Sequence, residues 1–203
     1  MTLQGPPTGP SYRTLIIEND SLVVFGLKGY LTQLGHIVVA QPATASEAET
    51  VFREEKIDLV FIDIRLDDCD GIELAGRLLK VRRCPIIVVS AYSEKELIDR
   101  EAAVGVFGYI IKPVRLPALE AQIAIAINRF REQQQLQAEK DSLTQTLETR
   151  KLVEKAKGIL MKRQNLSEAD AHKKLQQESQ TRRLSLSEIA QKIIEVESIM
   201  GGT

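Results

Sequence analysis

The chain has 203 residues, 43% of them hydrophobic and 27% charged, with a formal net charge of -1 at pH 7. This length suits one standard domain and a smaller one, and the apolar content excludes an intrinsically disordered chain. No apolar run approaches the roughly 20 residues that a transmembrane helix needs, and the two cysteines lack the spacing of a metal site or a disulfide framework. We therefore predict a cytoplasmic protein without a membrane partner.

Short apolar runs alternate with helical patterns over residues 13–130, after a Gly/Pro-rich stretch (1–12) that is predicted to be a disordered tail. Helices are predicted from residue 21, over 43–55, from 72 and over 94–104. Such alternation predicts an α/β domain with a doubly wound, parallel five-stranded sheet and helices on both faces. The predicted strands are 14–18, 37–40, 59–62, 86–90 and 108–112.

Two details are predicted for the first helix. Ser21 is a candidate N-cap, because its hydroxyl can accept a hydrogen bond from a free backbone N–H group of the first turn. Leu22, Phe25 and Leu34 fall on one face at helical spacing, so we expect that face to pack on the sheet.

Polar side chains stand at the ends of four predicted strands: Glu18, Asp63, Ser90 and Lys112. The carboxyl ends of parallel strands meet at one edge, where open α/β sheets bind ligands. Clustered carboxylates suit a hard divalent cation, Mg²⁺ before others. With the cation and Lys112 neutralising phosphoryl oxygens, Ser90 donating to one of them and Asp63 as nucleophile, the predicted chemistry is phosphoryl transfer.

These residues, in this order, resemble the landmarks of the receiver domain of two-component response regulators, which has a flavodoxin-like fold. The resemblance covers residues 13–130 and implies that Asp63, within Asp63-Ile-Arg-Leu-Asp-Asp-Cys-Asp-Gly71, is the phosphoacceptor. It also implies that Ser90 and Tyr109 are switch residues and that Lys112 binds the phosphoryl group. The implied Mg²⁺ ligands are Glu18, Asn19, Asp63 and the backbone carbonyl of Arg65.

One position departs from the family pattern. The family usually has two acids after the first strand, whereas the second residue here is Asn19. An amide oxygen can coordinate a cation but brings no negative charge, so weaker Mg²⁺ binding is expected. Asp20, the next residue, is expected to compensate in part.

From residue 117 the pattern stays helical, and no Gly or Pro interrupts residues 118–157. Leu136, Leu143 and Leu147 form a thin apolar stripe, which favours a long helical linker (131–149) over a sustained coiled coil or a flexible segment. We expect this helix to pair with a second copy. Three amphipathic segments, at about 152–163, 167–179 and 185–199, then predict a small all-α three-helix bundle.

The run Ala156-Lys-Gly-Ile-Leu-Met161, with Leu166-Ser-Glu-Ala-Asp-Ala171 and Leu186-Ser-Glu-Ile-Ala190, resembles the ANTAR domain, an antitermination RNA-binding module found behind some receivers. This resemblance is assigned to residues 150–203 and departs from the family at His172, where an aromatic or bulky apolar residue is common. Basic side chains exceed acidic ones here and are candidate RNA contacts. The candidates are Arg150, Lys151, Lys157, Lys162, Arg163, Lys173, Lys174, Arg182 and Arg183.

The combined prediction is a response regulator that a sensor histidine kinase phosphorylates on Asp63. Its output would bind an RNA hairpin in a nascent transcript and promote transcription antitermination, as a homodimer formed through the connecting helix and the bundle. No enzyme with catalytic residues of its own is predicted, because phosphotransfer to Asp63 would be self-catalysed. Two alternatives stay open: a receiver that acts through protein–protein contacts without phosphorylation, and a DNA-binding transcriptional regulator.

Overall fold

The computed structural model describes residues 9–91 and 105–200. The chain divides into two compact units, Met1–Gln133 and Gln134–Thr203. The helix predicted at 94–104 lies outside the described residues, as do the first eight residues of the predicted tail.

The first unit is built around a parallel sheet that has five strands among the described residues. The strands are β1 (Arg13–Ile17), β2 (Ile37–Ala40), β3 (Leu59–Asp63), β4 (Ile86–Ser90) and β5 (Gly108–Ile111). Their order is β2-β1-β3-β4-β5, and every neighbouring pair is parallel. The chain therefore winds from β1 to one side and then returns to the other, which confirms the predicted doubly wound sheet.

Helices cover both faces of this sheet. The helices are α1 (Ser21–Gln33), α2 (Ala45–Glu54), α3 (Gly71–Val81) and α4 (Leu116–Gln164). One core packs α2 and α3 against one face, and a second core packs α1 and the beginning of α4 against the other face. Strands β3 and β4 are buried along their whole length, as continuous apolar strands covered on both faces should be.

The buried face of α1 differs from the prediction. Leu27 and Leu31 face the core, whereas Leu22 and Phe25 are 80% and 79% exposed. Only Leu34, just after the helix, packs partly against the second core as expected. The helix has apolar residues on most sides, so helical spacing alone does not identify the side that meets the sheet.

The second unit is a bundle formed by the last part of α4 with α5 (Glu168–Arg182) and α6 (Leu186–Met200). The first of the three predicted segments is therefore not a separate helix but the end of α4, which also contains the predicted linker. Ser167 caps α5 by accepting a hydrogen bond from the N–H of Asp170. No helix within the described ranges is long and apolar enough to cross a membrane. The bundle core consists of Val153, Ala156, Leu160, Ala171, Leu175, Ile189 and Ala190.

Candidate functional site

Four of the predicted site residues lie at the carboxyl edge of the sheet. Glu18 directly follows β1, Asp63 ends β3, Ser90 ends β4 and Lys112 directly follows β5. The central strands end in register with their neighbours. The parallel sheet therefore brings these four residues to the same crevice.

The Lys112 side chain connects the two carboxylates of this edge. Its ammonium nitrogen lies 2.7 Å from Oε2 of Glu18 and 2.9 Å from Oδ2 of Asp63. The backbone N–H of Lys112 donates a hydrogen bond of 2.7 Å to the carbonyl oxygen of Ser90, which fixes the start of the side chain beside β4. A single ammonium group therefore faces two neighbouring carboxylates.

Burial sets the electrostatics of this edge, since Glu18 is 3% exposed and Asp63 is 8% exposed. Burial raises the pKa of Glu18, against the lowering effect of the Lys112 ammonium. Burial alone would lower the pKa of Lys112, but its contacts with Glu18 and Asp63 raise that pKa overall. Lys112 therefore stays protonated at neutral pH, and the poorly hydrated carboxylates around it favour a further cation.

The oxygen donors at this edge fit a hard divalent cation. Oε2 of Glu18 is buried and has no well-aligned hydrogen-bond donor among the described residues, because Lys112 approaches it only as an ion pair. Over residues 9–91 and 105–200, no three His, Cys, Asp or Glu side chains are arranged to hold a metal ion. The residues that would hold such a cation are the Glu18 and Asp63 carboxylates, with amide or backbone oxygens beside them.

The two other predicted cation ligands lie on exposed turns. The amide nitrogen of Asn19 donates a hydrogen bond of 2.7 Å to Oδ1 of Asp67. The backbone of Arg65 forms an isolated bridge with Asp70 across the loop that follows β3. Sequence reasoning missed Asp67, because its position in an acidic loop gives no sign that it contacts residue 19.

Other acids near this edge bind helix N-termini. Asp20, rather than the predicted Ser21, caps α1 by accepting hydrogen bonds from two backbone N–H groups of the first turn. Asp70 caps α3 in the same way, and Asp68 accepts a hydrogen bond of 2.8 Å from the first N–H group of α2. The carboxylate of Asp20 thus contacts α1, and no contact of that carboxylate supports the expected compensation for Asn19.

The predicted switch residues share the ladder between β4 and β5. Ser90 is buried at the edge, and Tyr109 is half-buried and packs against the core under α2 and α3. Tyr109 pairs with Val88, two positions before Ser90. Because side chains alternate along a strand, this spacing puts Ser90 and Tyr109 on the same face of the sheet.

Known proteins resemble both units. The response regulator receiver domain family model matches residues 14–124, and the ANTAR domain family model matches residues 141–194. The transcriptional regulatory protein PdtaR of Mycobacterium tuberculosis is 34% identical over 183 residues, 90% of this chain and 89% of that protein. The chain belongs to the response regulators with a receiver and an ANTAR domain. These are signalling and RNA-binding domains rather than catalytic ones.

Solved receiver structures resemble the first unit. A CheY-like receiver domain protein from Methanospirillum hungatei is 28% identical with a TM-score of 0.55, and the match covers 61% of this chain and 99% of that chain. The receiver domain of a modulated diguanylate cyclase from Desulfovibrio desulfuricans is 30% identical with a TM-score of 0.57, over the same shares. Receiver domains generally bind Mg²⁺ for phosphorylation, so Mg²⁺ is the cation to consider at Glu18 and Asp63.

The candidate RNA contacts of the ANTAR unit differ in their surroundings. Three of them have side-chain partners on the bundle surface: Arg163 with Glu197, Lys174 with Gln164, and Arg182 with Glu178. Five others are exposed and form no ion pair with any described residue. These five are Arg150, Lys151, Lys162, Lys173 and Arg183.

Lys157 differs from all the others. Its side chain is 9% exposed, and its ammonium donates hydrogen bonds to Glu168 at 2.7 Å and to Glu154 at 2.9 Å. These hydrogen bonds, the one to Glu168 first, raise the pKa of Lys157. Lys157 therefore connects α4 to the start of α5, and its buried, paired ammonium makes it a poor candidate for an RNA phosphate.

Proposed function

We propose that this response regulator accepts a phosphoryl group on Asp63 from a sensor histidine kinase in a Mg²⁺-dependent reaction. Phosphorylation would control the binding of the ANTAR unit to a hairpin in nascent RNA and so promote transcription antitermination. The observation that supports this most directly is the Lys112 ammonium, which contacts both Glu18 and Asp63 at the carboxyl edge of the sheet.

In the proposed reaction, a carboxylate oxygen of Asp63 attacks the phosphorus atom of the donor. An O–P bond forms while the N–P bond to the kinase histidine breaks and leaves its electron pair on the imidazole. Lys112 neutralises phosphoryl oxygens, and the Ser90 hydroxyl donates a hydrogen bond to one of them. When bound, Mg²⁺ supplies the additional positive charge that the phosphoryl oxygens require. Tyr109, on the same face as Ser90, would reorient with it.

Intact-mass spectrometry after incubation with acetyl phosphate and Mg²⁺ tests this reaction on the full chain. The wild type should gain one acid-labile phosphoryl group, Asp63→Asn should gain none, and Lys112→Met should gain much less. Glu73→Gln, which removes an exposed acid of α3, should behave as the wild type. A wild type without an adduct would instead favour a receiver that acts through protein contacts without phosphate.

The surface of the ANTAR unit supports phosphate-led recognition of RNA. The exposed, unpaired cations can each release counterions on contact with phosphates. A concave surface with a volume of about 400 Å³ lies between the three helices, and Leu160, Leu175 and Ile189 are among the residues that line it. Its rim carries charges of both signs, with Arg163 and Lys174 beside Glu178 and Glu197. The chain has no Phe, Tyr or Trp after Phe130, so any base stacking within this unit would use His172 or an Arg guanidinium plane. Recognition would depend on hairpin shape, phosphate contacts and hydrogen bonding.

Binding of a hairpin RNA, measured at several salt concentrations, tests the RNA contacts. Lys162→Gln removes an exposed, unpaired cation and should weaken binding. It should also reduce the salt slope, which is the slope of the logarithm of the binding constant against the logarithm of salt concentration, by about one. Lys157→Gln removes a buried, paired cation of the same helix and should leave the salt slope unchanged. Equal loss of salt dependence in both variants would show that Lys157 contacts phosphate after all.

Duplex DNA is the competing nucleic acid in the same assay. A recognition helix must present residues that reach base edges and must tolerate nearby phosphates. Helix α6 carries Lys192 but also Glu188, Glu195 and Glu197, a balance that repels phosphates. We expect hairpin RNA to bind more tightly than duplex DNA of matched length; the reverse preference would favour a DNA-binding regulator.

Helix α4 is the proposed route from the receiver to the ANTAR unit, and its exposed stripe the proposed dimer contact. The helix contributes Ile123 to a receiver core and Leu160 to the bundle core. Leu136, Leu143 and Leu147 are exposed at spacings of seven and four residues, which are coiled-coil spacings. Sedimentation should show a dimer that Leu143→Lys dissociates and that Leu22→Lys, an exposed position on α1, leaves intact. A monomeric wild type would contradict the dimer.

A further inference from the structure

The receiver site has an amide rather than a carboxylate at residue 19, and the carboxylate of the next residue, Asp20, binds the start of α1. Asp20 accepts hydrogen bonds from the N-terminal turn of α1. Its backbone N–H donates to Oε1 of Glu18 at 3.1 Å, so this short segment is fixed with the Asp20 carboxylate on the helix. If the site keeps the negative charge that a second acid after β1 would supply, that charge must come from another element.

Asp67 is the acid that contacts residue 19. Its Oδ1 accepts a hydrogen bond of 2.7 Å from the amide nitrogen of Asn19, across 48 positions of sequence. A carboxylate has no proton to donate, so it can face only the NH₂ end of an amide. Chemistry therefore assigns the orientation of Asn19: the nitrogen points to Asp67, and the carbonyl oxygen Oδ1 points away from it.

We infer that Asp67 is a positioning residue of the Mg²⁺ site, and that it both orients the Asn19 amide so that Oδ1 can coordinate the cation and supplies the negative charge that Asn19 lacks. The inference rests on the proposed Mg²⁺-dependent phosphorylation of Asp63. An aspartate at position 19 would need no such partner, because either of its oxygens can coordinate. The neutral amide has one usable end, and the Asp67 carboxylate determines which end is presented.

The surrounding groups favour this indirect role over direct coordination by Asp67. Oδ1 of Asp67 already accepts the hydrogen bond of the Asn19 amide at 2.7 Å, so Asp67 acts on the Asn19 side chain. It is exposed, while Glu18 has a 1% exposed side chain and a buried oxygen without an aligned donor. An outer partner that orients a first ligand is a common device of metal sites.

Calorimetric titration of the full chain with Mg²⁺ tests the inference without requiring phosphorylation. Asp67→Ala should weaken Mg²⁺ binding by roughly tenfold or more, the usual effect of losing a partner that orients a ligand. Glu73→Gln, which removes an exposed acid that has no contact with Asn19, is the matched control and should bind Mg²⁺ as the wild type does. Circular dichroism confirms that each variant is folded.

The same substitution in an Asn19→Asp background separates orientation from overall charge. The introduced carboxylate would need no orienting partner, so Asp67→Ala should there weaken Mg²⁺ binding clearly less than in the wild-type background, because only the loss of the Asp67 charge remains. An equal loss in both backgrounds, or a loss no greater than that of Glu73→Gln, would overturn the orienting role of Asp67 while leaving the Mg²⁺ site standing. A wild type without measurable Mg²⁺ affinity would contradict the proposed Mg²⁺-dependent phosphorylation and this inference with it.

Discussion

Replacing Gly71 with alanine should destabilise the receiver unit and disturb Asp63 together. Gly71 begins α3, where its N–H donates to the carbonyl oxygen of Ile64 at 2.8 Å. A Cβ atom at Gly71 would overlap the backbone carbonyl oxygen of Asp63 and would lie 2.8 Å from the carbonyl carbon and 3.1 Å from Cα of Ile64. All of these neighbours are backbone atoms, so the end of β3 or the start of α3 would have to move.

Two effects of opposite sign decide the magnitude. Alanine in place of glycine inside a helix stabilises by about 0.5–1 kcal/mol, and overpacking costs roughly 1–3 kcal/mol where side chains can adjust. Because only backbone can adjust here, we expect a net loss of about 2 kcal/mol. Gly29→Ala is the matched control: Gly29 is an exposed residue of α1 with nothing within 4 Å of an added Cβ, so only the favourable effect remains.

Thermal unfolding followed by circular dichroism measures both variants. Gly29→Ala identifies the transition of the receiver unit by raising its Tm, and Gly71→Ala should lower the same transition by several degrees, at roughly 2–8 °C per kcal/mol. Phosphorylation of Asp63 by acetyl phosphate should also slow, because the displaced carbonyl belongs to that residue. A Gly71→Ala protein as stable as Gly29→Ala would refute the steric reasoning.

Two further predictions concern titrating groups. Lys112→Met removes the ammonium that opposes the raised pKa of Glu18, so that pKa should rise further. A carboxyl whose pKa is higher in the folded than in the unfolded state makes the protein less stable as pH rises through that interval. Lys112→Met should therefore lower the free energy of unfolding by on the order of 3 kcal/mol at neutral pH and by less in acid. Urea titrations at several pH values measure it, and a pH-independent loss would contradict it. Burial raises the pKa of Cys84 to about 12, so a thiol reagent should label the half-buried Cys69 first in the native protein, and labelling of Cys84 first would contradict this.

The sheet edge could be predicted because parallel strands follow one geometry. Buried strands appear as continuous apolar runs, so Asp63 and Lys112 are located by where two runs end. The buried face of helix α1 could not be predicted in this way. Leu22 and Phe25 satisfy helical spacing as well as Leu27 does, and only packing against the sheet selects one side.

The role of a basic residue in the bundle could not be predicted from its charge. Lys157 and Lys162 occupy the same helix and look alike in sequence, yet one is buried between two carboxylates and the other is exposed. Glu154, three residues before Lys157, lies at a spacing that indicates a helical pair. Glu168 lies on the next helix, and its contact depends on how the turn between α4 and α5 folds.

The acids at the end of β3 and in the loop after it form a cluster in sequence but have separate partners in the structure. Asp63 faces Lys112, Asp67 holds Asn19, and Asp68 accepts from the first N–H of α2. Alanine substitutions should therefore distinguish the roles of Asp67 and Asp68. Asp68→Ala removes the acceptor at the N-terminus of α2, so it should cost about 1 kcal/mol of stability and leave the Mg²⁺ affinity unchanged. Asp67→Ala should weaken Mg²⁺ binding and keep most of the stability. If urea unfolding and Mg²⁺ titration changed in parallel in both variants, the loop would act as one diffuse negative charge, and the individual hydrogen bonds would not determine its function.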